Sequence, residues 1–444
     1  MKNKLKNRSA VAVPAGRLAR LAHISSMAAR VASSVALGGV AQLVKGQRPV
    51  AKDLLLTPLN IGRVTEQLAK MRGAAMKIGQ LISMDSGDYL PPELAKIMAS
   101  LRDGAHSMPP KQLKKILNSE LPHGWLASFN KFDVRPIAAA SIGQVHRAQL
   151  RDGRDLAIKI QYPGVATSID SDVANVRALI KMSGLLPAEF PLDAYLDEGR
   201  AQLHEETNYT REATNLIQFR ELLKDSPQFL VPMAHVDWST PSILTMDYVS
   251  GIAIEDLDQD SQDIRDQVVT NLISLAVSEL FVFLLMQTDP NFANYRYQRN
   301  TQKIVLLDFG AVLAIDPSLS EKYKRLILAG FNNDISGLAD AASDIGFFNE
   351  KTSNDHRARI TQMIRRVFDL VLKNDITDFK SMDLAQQLQA DGLELLKDGF
   401  IPPILPIDVL LVQRKFAGIF LLATRLGASI NIGKILRVQG ELLQ

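Results

Sequence analysis

Residues 284–295, LLMQTDPNFANY, are the stretch on which the fold turns. An apolar run ends there, and an aspartate, a proline and two asparagines follow, all residues that favour loops. Asp289 precedes Asn294 by five residues, and Asp308-Phe309-Gly310 then closes the apolar run KIVLL at 303–307. In phosphoryl transfer, an aspartate in such a loop orients or accepts a hydroxyl proton. The asparagine five residues on holds magnesium, and an aspartate at a strand end binds the metal that bridges the phosphates. D-F-G arises by chance and Asp and Asn are ordinary loop residues, so each piece is weak alone. Order and spacing carry the weight.

Upstream, AIKIQ places Lys159 inside an otherwise apolar strand. An isolated case reads as an edge lysine with its head in solvent. The sharper reading is a lysine that meets phosphate oxygens and a helix glutamate, as in the V-A-I-K strand of kinases. Residues 195–223 are strongly helical and offer Glu198, Glu205, Glu206, Glu212 and Glu221. Most are solvated charges. Glu206 and Glu212 are the candidates, and periodicity does not choose between them.

FDVRPI, QVHRAQL and DLAIKIQ read as strands, the last two joined by the turn RDGR. PIAAASIGQV, with Ala138, Ala139, Ala140 and Ser141, reads as a hairpin connection although alanine is a poor turn residue. FLVPMAHVDW and SILTMDYV restore strand character, and helices dominate after Gly251. A small sheet, a link near Met246–Ser250 and a helical region predict an α+β, two-lobed, protein kinase-like fold. Adenine is expected to meet backbone groups from Met246 to Val249. No G-x-G-x-x-G precedes Lys159, no His-Arg precedes Asp289 and no Ala-Pro-Glu follows Asp308, which argues against an ordinary protein kinase.

Over 60–84, Ile61, Val64, Leu68, Met71, Ala75, Ile78 and Ile82 recur at three- and four-residue steps, predicting one amphipathic helix. Residues 1–55 read as a basic leader whose small-residue stretch 24–45 lies on a membrane surface or packs on the core, the basic lead-in favouring the membrane. The apolar run 272–286 carries Glu279 and is short for a span, so it reads as a buried core helix. Four domains are expected: the leader (1–55), a helical extension (56–130), an N-lobe (131–250) and a C-lobe (251–444). The 444 residues include no cysteine, which excludes disulfides, thiolate metal sites and Cys nucleophiles and fits a cytoplasmic protein. A net charge of +3 gives no reason to expect nucleic acid.

At these residues the chain resembles the UbiB/ADCK family of atypical, protein kinase-like proteins of coenzyme Q (ubiquinone) biosynthesis, over roughly residues 55–435. The K-x-G-Q signature stands at Lys77-Ile78-Gly79-Gln80 and the alanine-rich loop that replaces the glycine-rich one at Ala138-Ala139-Ala140-Ser141. Lys159 matches the nucleotide lysine, Glu206-Thr207-Asn208 the E-x-D motif, Glu212 the helix glutamate, and Asp289, Asn294 and Asp308 the catalytic and metal positions. Asn208 departs from the family aspartate. QTDPN looks closer to the mitochondrial-type branch, and the tail from Val409, punctuated by Arg414, Lys415, Arg425, Lys434 and Arg437, predicts no C-terminal anchor.

The resemblance implies ATP and Mg2+ as cofactors and an extension folded over the active site, with Lys77, Gln80, Glu206 and Asn208 in regulatory roles. It implies as partners a quinone precursor or lipid, other quinone-biosynthesis enzymes and peripheral contact with the inner membrane, on the matrix side in a eukaryote. The rival readings are a small-molecule or lipid kinase and a nucleotide-gated, non-catalytic scaffold.

Overall fold

The computed structural model describes Lys77 and residues 107–140, 142–183, 192–373, 376–381, 383–403 and 405–441. The leader, the helix over 60–84 apart from Lys77, and the positions Gln80 and Ser141 lie outside the described residues. The chain divides into two compact units: the first runs to Ile217 and resumes over Pro232–Val249, and the second comprises Gln218–Val231 and everything from Ser250 on.

The first unit opens with α1 (Pro110–Glu120), which has proline at its first turn, where a missing N–H costs nothing. Its antiparallel sheet runs β1-β3-β4-β6, with β2 also on β3; the strands are β1 (Phe129–Phe132), β2 (Ala138–Ala139), β3 (Gly143–Leu150), β4 (Asp155–Gln161) and β6 (Ile243–Asp247). Alternation along β4 buries Leu156, Ile158 and Ile160 on one face, each at 1% exposure or less. Burial of that kind stabilises by about 1.5–3 kcal/mol per side chain. The opposite face carries Lys159 and Gln161. The turn after β3 closes as the sequence predicts, with Gly153 at φ +97° and Gly153 N donating to Leu150 O.

Two strand expectations need correction. Of FDVRPI only Phe132 is in a strand: the chain leaves the ladder after Asp133, Pro136 has no N–H to offer it, and pairing with β3 resumes at Ile137. Of FLVPMAHVDW only β5 (Phe229–Leu230) forms, in the second unit, before Pro232 and a 3-10 turn at Val236–Trp238 end it. The alanine stretch is also less of a loop than expected: Ala138 pairs with Val145 and Ala139 with Gln144, and Ala140 N closes the turn on Gly143 O at 2.9 Å.

After β4 come α2 (Val165–Ser183), α3 (Leu192–Glu206) and α4 (Tyr209–Leu222). From Ser250 the second unit continues with β7 (Ile252–Ala253) and α5 (Gln262–Ser278), which buries Val268, Val269, Leu272, Ile273 and Val277. Among the described residues, only Gln262–Phe283 is long and apolar enough to cross a membrane, and half of its most apolar window is buried in the protein. The run 272–286 is not helical throughout. A π-helical turn at Glu279–Phe283 ends on Leu284 in the left-handed region (φ 49°), and β8 (Leu285–Gln287) follows.

Strands β9 (Tyr295–Gln298) and β10 (Lys303–Leu306) form a hairpin in the sheet β5-β10-β9-β7, and β11 (Val312–Ala314) pairs with β8. Helices α6 (Pro317–Phe331), α7 (Ile335–Ile345), α8 (Asn354–Lys373), α9 (Leu384–Lys397), α10 (Ile407–Leu426) and α11 (Ile432–Glu441) complete the unit, with β12 (Thr377–Asp378) paired to β13 (Ser429–Ile430). Its core gathers Leu280, Met286, Leu319, Leu338, Val409 and Val412.

Candidate functional site

In the first unit, Lys159 stands between Val145 on β3 and Leu244 on β6. Its Nζ donates to both Glu212 oxygens, at 2.7 and 3.0 Å, and lies 5.1 Å from the Tyr209 ring centroid. Both partners are buried, Lys159 at 8% and Glu212 at 2% exposure. Two residues along the same strand face, Gln161 donates to Thr207 O at 2.8 Å, so β4 fixes the junction of α3 and α4 as well as its lysine's partner. Asn208 caps α4: its Oδ1 accepts from Arg211 N at 3.0 Å and its carbonyl from Glu212 N. Capping needs only a short side-chain oxygen, which asparagine supplies as well as aspartate. The departure at this position therefore leaves intact the cap on the helix that presents Glu212.

The glutamate ambiguity resolves into two pairs. Glu212 holds Lys159, while Glu206, at the end of α3, is ion-paired with Lys77, itself 3% exposed. Ala138 and Ala139 lie in the short β2 strand and Ala140 in the turn beside it. The turn ends at Gly143, where an added Cβ would lie 2.4 Å from Ile160 O, so only glycine allows β3 and β4 to close here. Met246 is buried on β6 and Val249 is half-buried beyond it. Between them the amides of Asp247 and Tyr248 already donate, to Met233 O and Asp155 O.

A buried polar chain that periodicity did not signal runs beside the alanine hairpin. Gln144 Oε1 accepts from Met108 N at 2.8 Å, and its Nε2 lies 2.7 Å from His146 Nε2. His146 Nδ1 faces Asp133 O at 2.9 Å. A carbonyl can only accept, so the imidazole carries its proton on Nδ1 and Nε2 accepts from Gln144. Burial pushes the His146 pKa down, partly offset by the bond to Asp133 O and that residue's charge.

In the second unit, Asp289 Oδ1 accepts from Asn291 N at 3.3 Å and Oδ2 from Asn294 Nδ2 at 3.1 Å. Asn291 caps the short 3-10 turn that ends at Asn294. Leu307 N donates to Asn294 O at 3.0 Å, which extends the β9–β10 hairpin and sets Asp308 next to the asparagine's register position. Asp308 Oδ1 accepts from Gly310 N at 3.0 Å, and the Phe309 ring packs on Phe219, with centroids 4.7 Å apart. With its Nδ2 donated to Asp289, Asn294 presents a carbonyl oxygen, and Asp308 presents a carboxylate. That donor set suits magnesium, which takes hard oxygen ligands from one or two side chains and completes its shell with phosphates and water. Among the described residues no group of three or more His, Asp or Glu forms a closed cage.

A family model described as the ABC1 atypical kinase-like domain matches residues 100–342. The chain is 37% identical to the mitochondrial atypical kinase COQ8 of Saccharomyces cerevisiae, over 98% of this chain and 86% of that protein. It is 27% identical to the probable protein kinase UbiB of Pseudomonas fluorescens, over 67% of this chain and 58% of that one. The solved complex of Rv3197 with erythromycin from Mycobacterium tuberculosis shares the fold, with a TM-score of 0.58 over 83% of this chain and 93% of that one at 23% identity.

Proposed function

The chain belongs to the ABC1 atypical kinase-like (UbiB/ADCK) family, and from that premise we propose an ATP- and magnesium-dependent atypical kinase-like ATPase that supports ubiquinone (coenzyme Q) biosynthesis at a membrane surface. The observation that carries this reading is the buried Lys159–Glu212 pair, which holds a lysine in one direction inside an apolar strand. Such a pair has little reason to persist for stability alone, since apolar residues of similar volume would serve as well.

In this reading Lys159 meets the α- and β-phosphates, and Glu212 fixes its direction. Asn294 and Asp308 would hold magnesium, which would supply charge neutralisation for phosphate oxygens. Asp289, held by the Asn291 amide and the Asn294 side chain, orients the attacking water or hydroxyl. The alanine hairpin covers the phosphates with a stiffer backbone than a glycine loop, because alanine does not readily reach positive φ. Adenine meets the backbone around Met246–Val249. Lys77 and Glu206, with Gln80 and Asn208, govern access. The basic leader supplies membrane contact, and a quinone precursor or lipid and other enzymes of the pathway are the partners.

Phosphate release by the purified full chain, with magnesium and ATP and with or without phenolic quinone precursors and anionic vesicles, tests this. Turnover without a labelled acceptor supports the ATPase. A labelled acceptor supports the small-molecule or lipid kinase, and bound nucleotide without turnover the scaffold. Asp308→Asn should weaken magnesium-dependent nucleotide binding by about 10-fold or more, the weight of one charge-assisted contact. Unchanged affinity removes the metal assignment.

A further inference from the structure

The apolar core of the second unit contains a polar cluster that none of these roles uses. Glu279, first residue of the π-helical turn, is 1% exposed, and Lys415 on α10 is 2% exposed. Their charged atoms lie 3.2 Å apart. Lys415 Nζ also donates to Gln287 Oε1 at 3.2 Å and to Tyr295 Oη at 3.3 Å, so two of its donors are spent on neutral oxygens while Glu279 faces it as an ion pair. Burial pushes the Glu279 carboxyl up against the pull of Lys415. Burying two charges is costly, and an apolar pair would pack as well, so the cluster calls for a purpose other than stability.

Gln287 supplies that purpose. Its Oε1 receives the ammonium, which turns Nε2 the other way, where it donates to the main-chain oxygen of Asp289 at 3.1 Å. One turn beyond Lys415 on the same helix, Gly418 makes a second, independent contact with this loop: an added Cβ would lie 2.3 Å from Pro290 Cβ. Helix α10 thus reaches the Asp289 carbonyl through Gln287 and abuts the Pro290 ring at Gly418, while Asn291 and Asn294 hold the Asp289 carboxylate.

We infer that Lys415 is a positioning residue for Asp289, acting through the Gln287 amide, with Glu279 and Tyr295 fixing the ammonium and Gly418 admitting the loop. This rests on the reading of Asp289 as the residue that orients the attacking group.

Two variants of the full chain test it. Gln287→Met cuts the link and keeps the ion pair; Lys415→Met combined with Glu279→Gln removes both charges so that neither is stranded. Both should melt cooperatively and bind Mg·ATP within about threefold of the parent, while kcat for phosphate release falls by about 10–100-fold, the effect of a small misplacement of a reacting group. A cluster that only stabilises the fold would lower the melting temperature and leave kcat per folded molecule unchanged, which would overturn the inference. Gln287→Met keeps the test open if the double variant does not fold. Asp289→Asn separates the two levels: turnover equal to the parent sinks the reading of Asp289 and this inference together. An inactive Asp289→Asn beside fully active cluster variants sinks the inference alone.

Discussion

Two residues show how one side chain governs a larger feature. Asn208 departs from the motif around it, yet its oxygen caps the helix that carries Glu212. Asn208→Asp should leave the melting temperature within a degree or two, whereas Asn208→Ala should cost about 1 kcal/mol, the usual value of an N-cap. Thermal unfolding distinguishes them. His146 gives a pH dependence. Its neutral form is the one that bonds to both Gln144 and Asp133 O, and burial depresses its folded pKa below that of the unfolded chain. The unfolded state therefore binds more protons between the two values, so the contribution of His146 is complete above about pH 6.5 and is lost as pH falls toward the folded pKa. Melting temperatures across that window should fall with pH for the parent and fall less for His146→Gln.

At the scale of elements, β4 organises the first unit. One face fills the core with Leu156, Ile158 and Ile160, and the other reaches α4 through Lys159 and the α3–α4 junction through Gln161. Close pairing with β3 depends on Gly143. Gly143→Ala would drive a methyl group into the Ile160 carbonyl and should destabilise by about 1–3 kcal/mol, the range for overpacking, as read by denaturant unfolding. Strand, turn and helix signals were legible here because their residues lie close in sequence. The RDGR turn and β4 form as their patterns predict. FDVRPI misleads because its alternation says nothing of the break over 133–136, beyond which pairing with β3 resumes at Ile137. The run 272–286 misled because hydrophobicity cannot reveal a switch from helix through a π turn to strand.

At the scale of the whole molecule, the proposed membrane contact rests on the basic residues of the leader. Full-length protein should sediment with anionic vesicles and release from them as salt is raised, because attraction of a polybasic segment falls off within a Debye length of about 8–10 Å. Retention at high salt would point instead to apolar insertion. Deleting the gene in a quinone-making host should lower ubiquinone content, and normal content would remove the pathway from the proposal.

From the sequence alone came the class of fold and the residues proposed to face phosphate and metal. Asp289, Asn294 and Asp308 fall at short, fixed intervals, and Lys159 stands out as a charge in an apolar strand. Periodicity left open which glutamate each lysine takes and the resemblance implied it; the tertiary structure shows the pairs, Glu212 with Lys159 and Glu206 with Lys77. It alone paired Glu279 with Lys415 and turned Gln287 toward Asp289. The physical reason is range. Periodicity records which side of an element faces the core, whereas an ion pair between distant segments depends on where two backbones pass each other, and no local pattern encodes that.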